Sequence, residues 1–213
     1  MKKEKPRIKG LYAIVDTAYV SFGDLERIAS LIIEGGARLL QLRSKGSGAR
    51  AALEACRRLR PVTARAGVVF IVNDRVDVAV MCGADGVHLG QDDIPLQEAR
   101  KLLGGSAVIG VSTHNVEEAV TAEGAGADYI SFGPIFPTRT KADADVIKGL
   151  GKLREIREAV SLPIAAIGGI TEETAPGVLE SGADSAAIIS DILLSPDIRL
   201  KVSSIISRME KVS

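Results

Sequence analysis

The residues best suited to chemistry in this sequence are polar side chains that follow short apolar runs. The first group comprises Gln41, Arg43 and Lys45, which alternate with Leu42 and Ser44. Because side chains alternate along a strand, the amide and both cations share one face if the strand continues to Lys45. This composition suits a polyanion. The alternative is a set of solvated charges at a strand end, since charges inside a barrel are costly unless they are paired.

Two aspartates at successive strand ends indicate a site for a hard cation. Asn73 and Asp74 follow one apolar run, and Asp93 follows the next. Two carboxylates, with water and phosphate oxygens completing the shell, are the usual ligands of Mg²⁺. The alternative is that each aspartate caps the helix that follows it. The nearby Arg43 and Lys45 favour the Mg²⁺ site.

A second anion site is predicted from the later part of the chain. Residues 133–148 form a long connection, and such loops in compact domains are usually functional or disordered. Its phosphate-binding candidates are Thr138, Arg139, Thr140 and Lys141. Gly168 and Gly169 follow the seventh apolar run, and Ile189 and Ser190 stand at the end of the eighth. In barrels these are the two positions that commonly bind phosphate. The glycine pair alone would also fit a tight turn.

Ser112 and His114 follow the fifth apolar run. They add a hydroxyl and an imidazole to the polar groups at the strand ends. His114 is either a general base or a polar residue beside a helix cap, and both alternatives stay open. His88 is interpreted as structural. Cys56 and Cys82 show neither metal-ligand spacing nor a CxxC pair, so both are interpreted as buried thiols.

Eight apolar, β-rich runs would position these residues. They are Leu11–Val15, Ala37–Arg43, Val68–Val72, Gly86–Leu89, Ala107–Val111, Tyr129–Phe132, Pro163–Ile167 and Ser185–Ile189. Several are continuously apolar, as parallel strands buried on both faces are, and amphipathic helical segments separate them. Eight βα units predict an α/β fold of the (β/α)8 TIM-barrel type, with reacting groups at the C-terminal ends of the strands.

Two smaller patterns concern the connections between these units. Gly-Ala-Asp recurs at 83–85, 126–128 and 182–184, just before three of the strands. The repeat is interpreted as architecture, with the glycine ending a helix and a tight turn leading into the strand. Asn115 precedes Glu118 by three residues, which is the spacing of a capping box.

Composition excludes several classes of function. The 27 basic and 27 acidic residues balance, and aromatic residues make up only 3 %, so nucleic-acid binding is not expected. No apolar run approaches the roughly 20 residues of a membrane span, which predicts a cytoplasmic protein without membrane association. We expect one domain over 1–213, with 1–10 as a flexible extension. The sequence is compatible with a homo-oligomer.

From about Leu11 to Ser190 the sequence resembles the thiamine-phosphate synthase family. The motifs that carry the resemblance are Gln41-x-Arg43-x-Lys45, Asn73-Asp74-Arg75, Gly90-Gln91-x-Asp93, Gly110-x-Ser112, Thr138-x-Thr140-Lys141 and Ile167-Gly168-Gly169-Ile170. The resemblance implies that two phosphorylated substrates, a hydroxymethylpyrimidine pyrophosphate and a thiazole phosphate or its carboxylated form, are joined with the help of Mg²⁺.

The resemblance also assigns roles to residues. It implies that the pyrimidine pyrophosphate contacts Gln41, Leu42, Arg43, Ser44, Lys45, Asn73, Ser112 and Lys141. The implied Mg²⁺ ligands are Asp74 and Asp93, and the implied thiazole phosphate contacts are Thr138, Arg139, Thr140, Gly169, Ile189 and Ser190. Among these, the implied catalytic set is Arg43, Lys45, Ser112 and Lys141.

Three other functions compete with this interpretation. A thiazole tautomerase would keep the thiazole phosphate site and use His114 for proton transfer, but it would not need the metal and pyrophosphate residues. Another phosphate-binding barrel would not explain the Thr138–Lys141 segment. A catalytically silent binding protein should have lost the charges at the strand ends, and this sequence retains them.

Overall fold

Eight parallel strands close into a barrel in which each strand pairs with its neighbours in chain order. The computed structural model describes residues 8–138 and 146–212. The strands are β1 Gly10–Asp16, β2 Leu39–Arg43, β3 Val69–Asn73, β4 Gly86–Leu89, β5 Val108–Thr113, β6 Tyr129–Phe132, β7 Ile164–Ile167 and β8 Ser185–Ile188. The predicted (β/α)8 barrel is therefore confirmed.

Helices follow the strands and cover the outside of the barrel. Within the described ranges they are α1 Leu25–Glu34, α2 Ala49–Ala66, α3 Val76–Cys82, α4 Leu96–Leu103, α5 Val116–Gly124, α6 Gly149–Ala159, α7 Ala175–Glu180, α8 Ser190–Leu193 and α9 Ile198–Glu210. None of these helices combines the length and apolar character that crossing a bilayer requires.

Alternation along the strands separates two apolar layers. In β1, Tyr12 and Ile14 point into the barrel, whereas Leu11, Ala13 and Val15 belong to the layer between strands and helices. Both layers exclude water. Strands that are apolar on both faces are stable here because one face packs in the barrel interior and the other packs against the helices. The polar residues at the strand ends are therefore left at the mouths of the barrel.

The predicted strand limits differ from the observed ones by at most two residues. The bounds of β4 and β6 are as predicted, whereas β2 begins at Leu39 and not at Ala37. Ile8 is buried in the barrel interior and Gly10 opens β1, so the flexible extension predicted for 1–10 is wrong for residues 8–10. The rest of that extension lies outside the described residues.

The Gly-Ala-Asp repeats join strands and helices at the end of the barrel opposite the site. Asp128 accepts hydrogen bonds from the Ile109 backbone N–H (2.8 Å) and from the Arg100 guanidinium (2.6 Å). The glycines preceding these aspartates all have positive φ. The equivalent pairs are Asp85 with Arg60 and Asp184 with Arg157. The structure thus confirms an architectural role for the repeat.

The two cysteines lie on α2 and α3. Cys56 is buried as predicted, but Cys82, at the end of α3, is only partly buried. The prediction of two buried thiols is therefore wrong for Cys82, because the helix ends there and leaves its last residue near the surface.

Candidate active site

A cavity of about 1350 Å³ opens at the C-terminal ends of the strands. Most of the predicted site residues within the described ranges line it. They are Gln41, Arg43, Lys45, Asn73, Asp74, Asp93, Ser112, Thr138, Gly169, Ile189 and Ser190. The barrel topology brings them together from segments that are far apart in sequence.

Arg43 is held by a buried carboxylate that the sequence did not single out. Arg43 is the last residue of β2, and its Nη1 lies 2.5 Å from Oδ2 of Asp16 at the end of β1. Asp16 is only 1 % exposed, and its other carboxylate oxygen accepts the Ala18 backbone N–H (2.9 Å). The guanidinium is therefore anchored before any anion arrives. Lys45 lies beyond the strand end and reaches the same cavity from a turn.

Asp74 and Asp93 come close enough to repel one another. Burial and the neighbouring Asp93 raise the pKa of Asp74 from its ordinary value of 3.8 to about 6, although Lys45 and Arg43 oppose the shift. The Lys45 Nζ lies 3.9 Å from Asp74 Oδ2, and the Gly90 N–H donates to Asp93 Oδ2 at 2.6 Å. Two partly buried carboxylates that lie this close together form a donor set that suits a hard cation.

The backbone at Asp74 is strained in a way that supports a functional role. Asp74 has a φ of 63°, and no other described residue except glycine has a positive φ. Its N–H donates to the His88 carbonyl oxygen at 2.8 Å, which fixes the left-handed turn after β3. Strain of this kind persists when surrounding structure holds it, and it clusters at ligand sites.

Leu42 and Ser44 differ from the other predicted site residues. Leu42 packs in the layer between strands and helices, because alternation turns its side chain away from Gln41 and Arg43. The Ser44 hydroxyl accepts a hydrogen bond from Thr17 Oγ1 and shares another with the Ser47 hydroxyl. Neither Leu42 nor Ser44 lines the cavity.

Three further predicted contacts, Arg139, Thr140 and Lys141, lie outside the described residues. The end of this segment that is described, Thr138, lines the cavity.

The thiazole-phosphate candidates lie on the opposite side of the mouth. Gly168 and Gly169 have φ values of 100° and 64°, and a Cβ at Gly169 would stand 2.4 Å from the Pro137 carbonyl oxygen. The loop after β6 is hydrogen-bonded to this turn, since the Phe136 N–H donates to the Gly168 carbonyl oxygen at 3.0 Å. Only glycine allows this approach, which leaves a concave backbone surface beside Ser190, the first residue of α8.

His114 is bound to a helix cap at the cavity rim. Its Nδ1 lies 2.9 Å from Glu118 Oε2, which also accepts the His114 backbone N–H at 2.8 Å. Asn115 Oδ1 accepts the Glu118 N–H at 2.8 Å, which confirms Asn115 as the N-cap of α5. The Glu118 carboxylate accepts from the His114 backbone N–H and the Asn115 side chain, where a capping box would use the N-cap backbone N–H. His114 thus lies beside the helix cap and also lines the cavity, a geometry that is compatible with both alternatives.

The chain matches the family described as thiamine monophosphate synthase over residues 11–192. The chain belongs to this family. The match covers β1 from Leu11 onward, the other seven strands in full and every described residue to which the resemblance assigned a role.

Curated relatives and a solved structure agree with the family match. The chain is 44 % identical over 203 residues to the thiamine-phosphate synthase of Shouchella clausii, covering 95 % of this chain and 97 % of that protein. It is 48 % identical over 188 residues to the thiamine-phosphate synthase of Methanoregula boonei, covering 88 % and 87 %. The structure of thiamine phosphate pyrophosphorylase from Pyrococcus furiosus superposes with a TM-score of 0.85 at 37 % identity, covering 95 % and 96 %.

The family motifs did not reveal several residues that shape the cavity. Glu172 links the turn after β7 to α8 and α9, because its N–H donates to Asp191 Oδ2 (2.9 Å) and its carboxylate accepts from Lys201 Nζ (2.9 Å). Lys201 and Asp191 both line the cavity beside Ser190. Tyr12 also lines the cavity, from inside the barrel, and Tyr129 packs with it in the buried barrel interior. Their one sequence signal was a hydroxyl on an otherwise apolar, inward-facing strand position.

Proposed function

We propose that this protein joins a hydroxymethylpyrimidine pyrophosphate to a thiazole phosphate, giving thiamine phosphate and pyrophosphate. The observation that carries the proposal is the pair of unlike anion sites across one cavity. Arg43, Lys45 and two carboxylates lie on one side, and the glycine turn with Ser190 lies on the other. A pyrophosphate ester and a phosphate monoester could therefore be held together, with their organic parts meeting over the barrel centre.

The proposed reaction is dissociative and uses no protein nucleophile. The carbon–oxygen bond to pyrophosphate breaks, and its electron pair leaves with the pyrophosphate. The electron-rich aminopyrimidine carries the resulting methylene cation until the lone pair of the thiazole nitrogen forms the new carbon–nitrogen bond. Arg43, Lys45 and Asn73 would bind the departing pyrophosphate, and the buried Asp16 keeps Arg43 in place. Catalysis would come from positioning and electrostatic stabilisation.

We further propose that Asp74 and Asp93 hold the Mg²⁺ ion. Their donor chemistry fits, since two carboxylates that repel each other gain most from a shared divalent cation. Among the described residues no group of three or more candidate ligands occurs, so water and pyrophosphate oxygens would supply the rest of the shell. When bound, the ion would neutralise charge on the leaving pyrophosphate. The proposal includes a cytoplasmic location, with which the two free thiols of Cys56 and Cys82 agree.

The test is direct. Purified protein is incubated with both substrates and Mg²⁺, and thiamine phosphate and pyrophosphate are followed. We expect equal amounts of both products and complete inhibition by EDTA. No product would overturn the proposed function, and product unaffected by EDTA would overturn the metal assignment.

A variant pair tests the separation of the two sites. Asp93→Ala should depress turnover by roughly a hundredfold or more, as losses of transition-state electrostatics do, while thiazole phosphate binding measured by calorimetry persists. The control is Glu98→Ala on α4, because Glu98 is exposed and pairs with Lys101 at the surface. Loss of thiazole phosphate binding in Asp93→Ala, but not in the control, would contradict the two-site assignment.

A further inference from the structure

A chain of buried polar side chains crosses the barrel interior beneath the cavity. Gln41 Nε2 donates to the Tyr12 hydroxyl (2.7 Å), which lies 2.9 Å from the Tyr129 hydroxyl. The Tyr129 hydroxyl lies 3.0 Å from His88 Nδ1, and the two rings are stacked with centroids 5.4 Å apart. All four side chains are at least 93 % buried. Such a chain is costly to bury unless every member is bonded, which makes it a candidate for function.

The chain ends at Ser112, a predicted substrate contact. His88 Nε2 lies 3.0 Å from Ser112 Oγ and 3.1 Å from Ser131 Oγ. Ser131 Oγ is also 3.5 Å from Ser112 Oγ. Since Ser112 lines the cavity, the protonation pattern of the buried chain determines what this hydroxyl can offer to a ligand.

The donor at Gln41 sets the direction of the chain. An amide nitrogen cannot accept a hydrogen bond, so the Tyr12 oxygen accepts from Gln41 Nε2. A phenol oxygen can accept twice, but the buried Tyr12 hydrogen also needs an acceptor, and the Tyr129 oxygen at 2.9 Å provides one. Tyr12 therefore donates to Tyr129. Tyr129 then directs its hydrogen to His88 Nδ1. Burial raises the pKa of both phenols, so both keep their hydrogens. A neutral imidazole that accepts at Nδ1 carries its hydrogen on Nε2.

We propose that this chain fixes His88 as the Nε2–H tautomer, which donates to Ser112 Oγ and leaves the Ser112 hydroxyl to donate to an acceptor atom of the pyrimidine substrate. Tyr12, Tyr129 and His88 are positioning residues in this proposal. The identity of the substrate rests on the proposed function, whereas the tautomer does not. The inference replaces the purely structural interpretation of His88.

The tautomer is measured without substrate. The protein contains two histidines, His88 and His114. Two-dimensional ¹H–¹⁵N correlation spectra of the labelled protein distinguish the two neutral tautomers, and His114→Asn assigns the signals. We expect His88 to be neutral with hydrogen on Nε2. An Nδ1–H tautomer, which a reversed Gln41 amide would produce, overturns the proposal, and so does an imidazolium. This result is independent of whether the protein makes thiamine phosphate.

A substitution then tests the consequence for the substrate. Tyr129→Phe removes the donor to His88 Nδ1 and keeps the ring. The KM of the pyrimidine substrate should rise about five- to tenfold, while that of the thiazole phosphate changes less than about twofold, as expected for one lost hydrogen bond. The His88 nitrogen shifts should move as well. Equal changes in both KM values with an unchanged tautomer would indicate a structural effect and overturn the proposal. If the variant does not fold, the wild-type spectrum still decides.

Discussion

Asp74 carries a charge that the fold disfavours, so Asp74→Asn should stabilise the metal-free protein at about pH 8. Its pKa is raised from 3.8 to about 6 by burial and by Asp93. Between those values the folded state binds more protons than the unfolded state, so the free energy of unfolding falls as pH rises. The shift corresponds to about 3 kcal/mol. Because the side chain is 23 % exposed, screening reduces the expected gain to roughly 1–2 kcal/mol.

The assay is urea denaturation followed by circular dichroism at about pH 8 and about pH 4.5 with EDTA present. Asparagine tolerates the left-handed conformation at this position, so the substitution adds no backbone strain. The gain should shrink by at least half at the lower pH, where the wild-type carboxyl is largely protonated. Asp92→Asn is the control, because Asp92 is an exposed carboxylate beside Asp93.

Two results would refute this reasoning. One is a variant no more stable than the wild type at about pH 8. The other is a gain that does not depend on pH, since a change in packing would act equally at both values. Under the proposed metal assignment, added Mg²⁺ should stabilise the wild type and not Asp74→Asn.

Three further predictions concern other parts of the molecule. Asp128→Asn should lower the free energy of unfolding by about 2–3 kcal/mol, because it leaves the Arg100 charge unpaired, whereas Glu98→Gln at an exposed pair should change it by less than about 0.5 kcal/mol in the same urea titration. Gly169→Ala should weaken thiazole phosphate binding in calorimetry and destabilise the fold by more than about 1 kcal/mol, because its Cβ meets the loop after β6. Its control, Gly151→Ala, lies in open space on α6 and should instead stabilise the fold by about 0.5–1 kcal/mol. Arg43→Lys should raise the KM of the pyrimidine pyrophosphate at least about tenfold in steady-state assays, since each hydrogen bond to a charged group contributes about 1.5–3 kcal/mol; an unchanged KM would remove Arg43 from the substrate site.

The arrangement of strands and much of the site could be predicted because both depend on local patterns. Apolar runs such as Tyr129–Phe132 are strands wherever they occur in a repeating βα chain, and the residues that follow them must reach one mouth. Leu42 shows the difference between a motif and a side-chain direction, because the resemblance assigned a contiguous motif as a whole, whereas alternation turns the Leu42 side chain outward. Alternation alone would have separated Leu42 from Gln41 and Arg43.

By itself the sequence determined the fold class, the family resemblance and the set of charges at the mouth, since each follows from local patterns: apolar runs, short motifs and the polar residues directly after a strand. Only the tertiary structure decided which distant groups meet. Tyr12 and Tyr129 are 117 residues apart and share one hydrogen bond. Arg43 on β2 donates a hydrogen bond to Asp16 on the neighbouring β1. Barrel closure sets such contacts through strand register and side-chain direction, and no short segment of sequence carries that information.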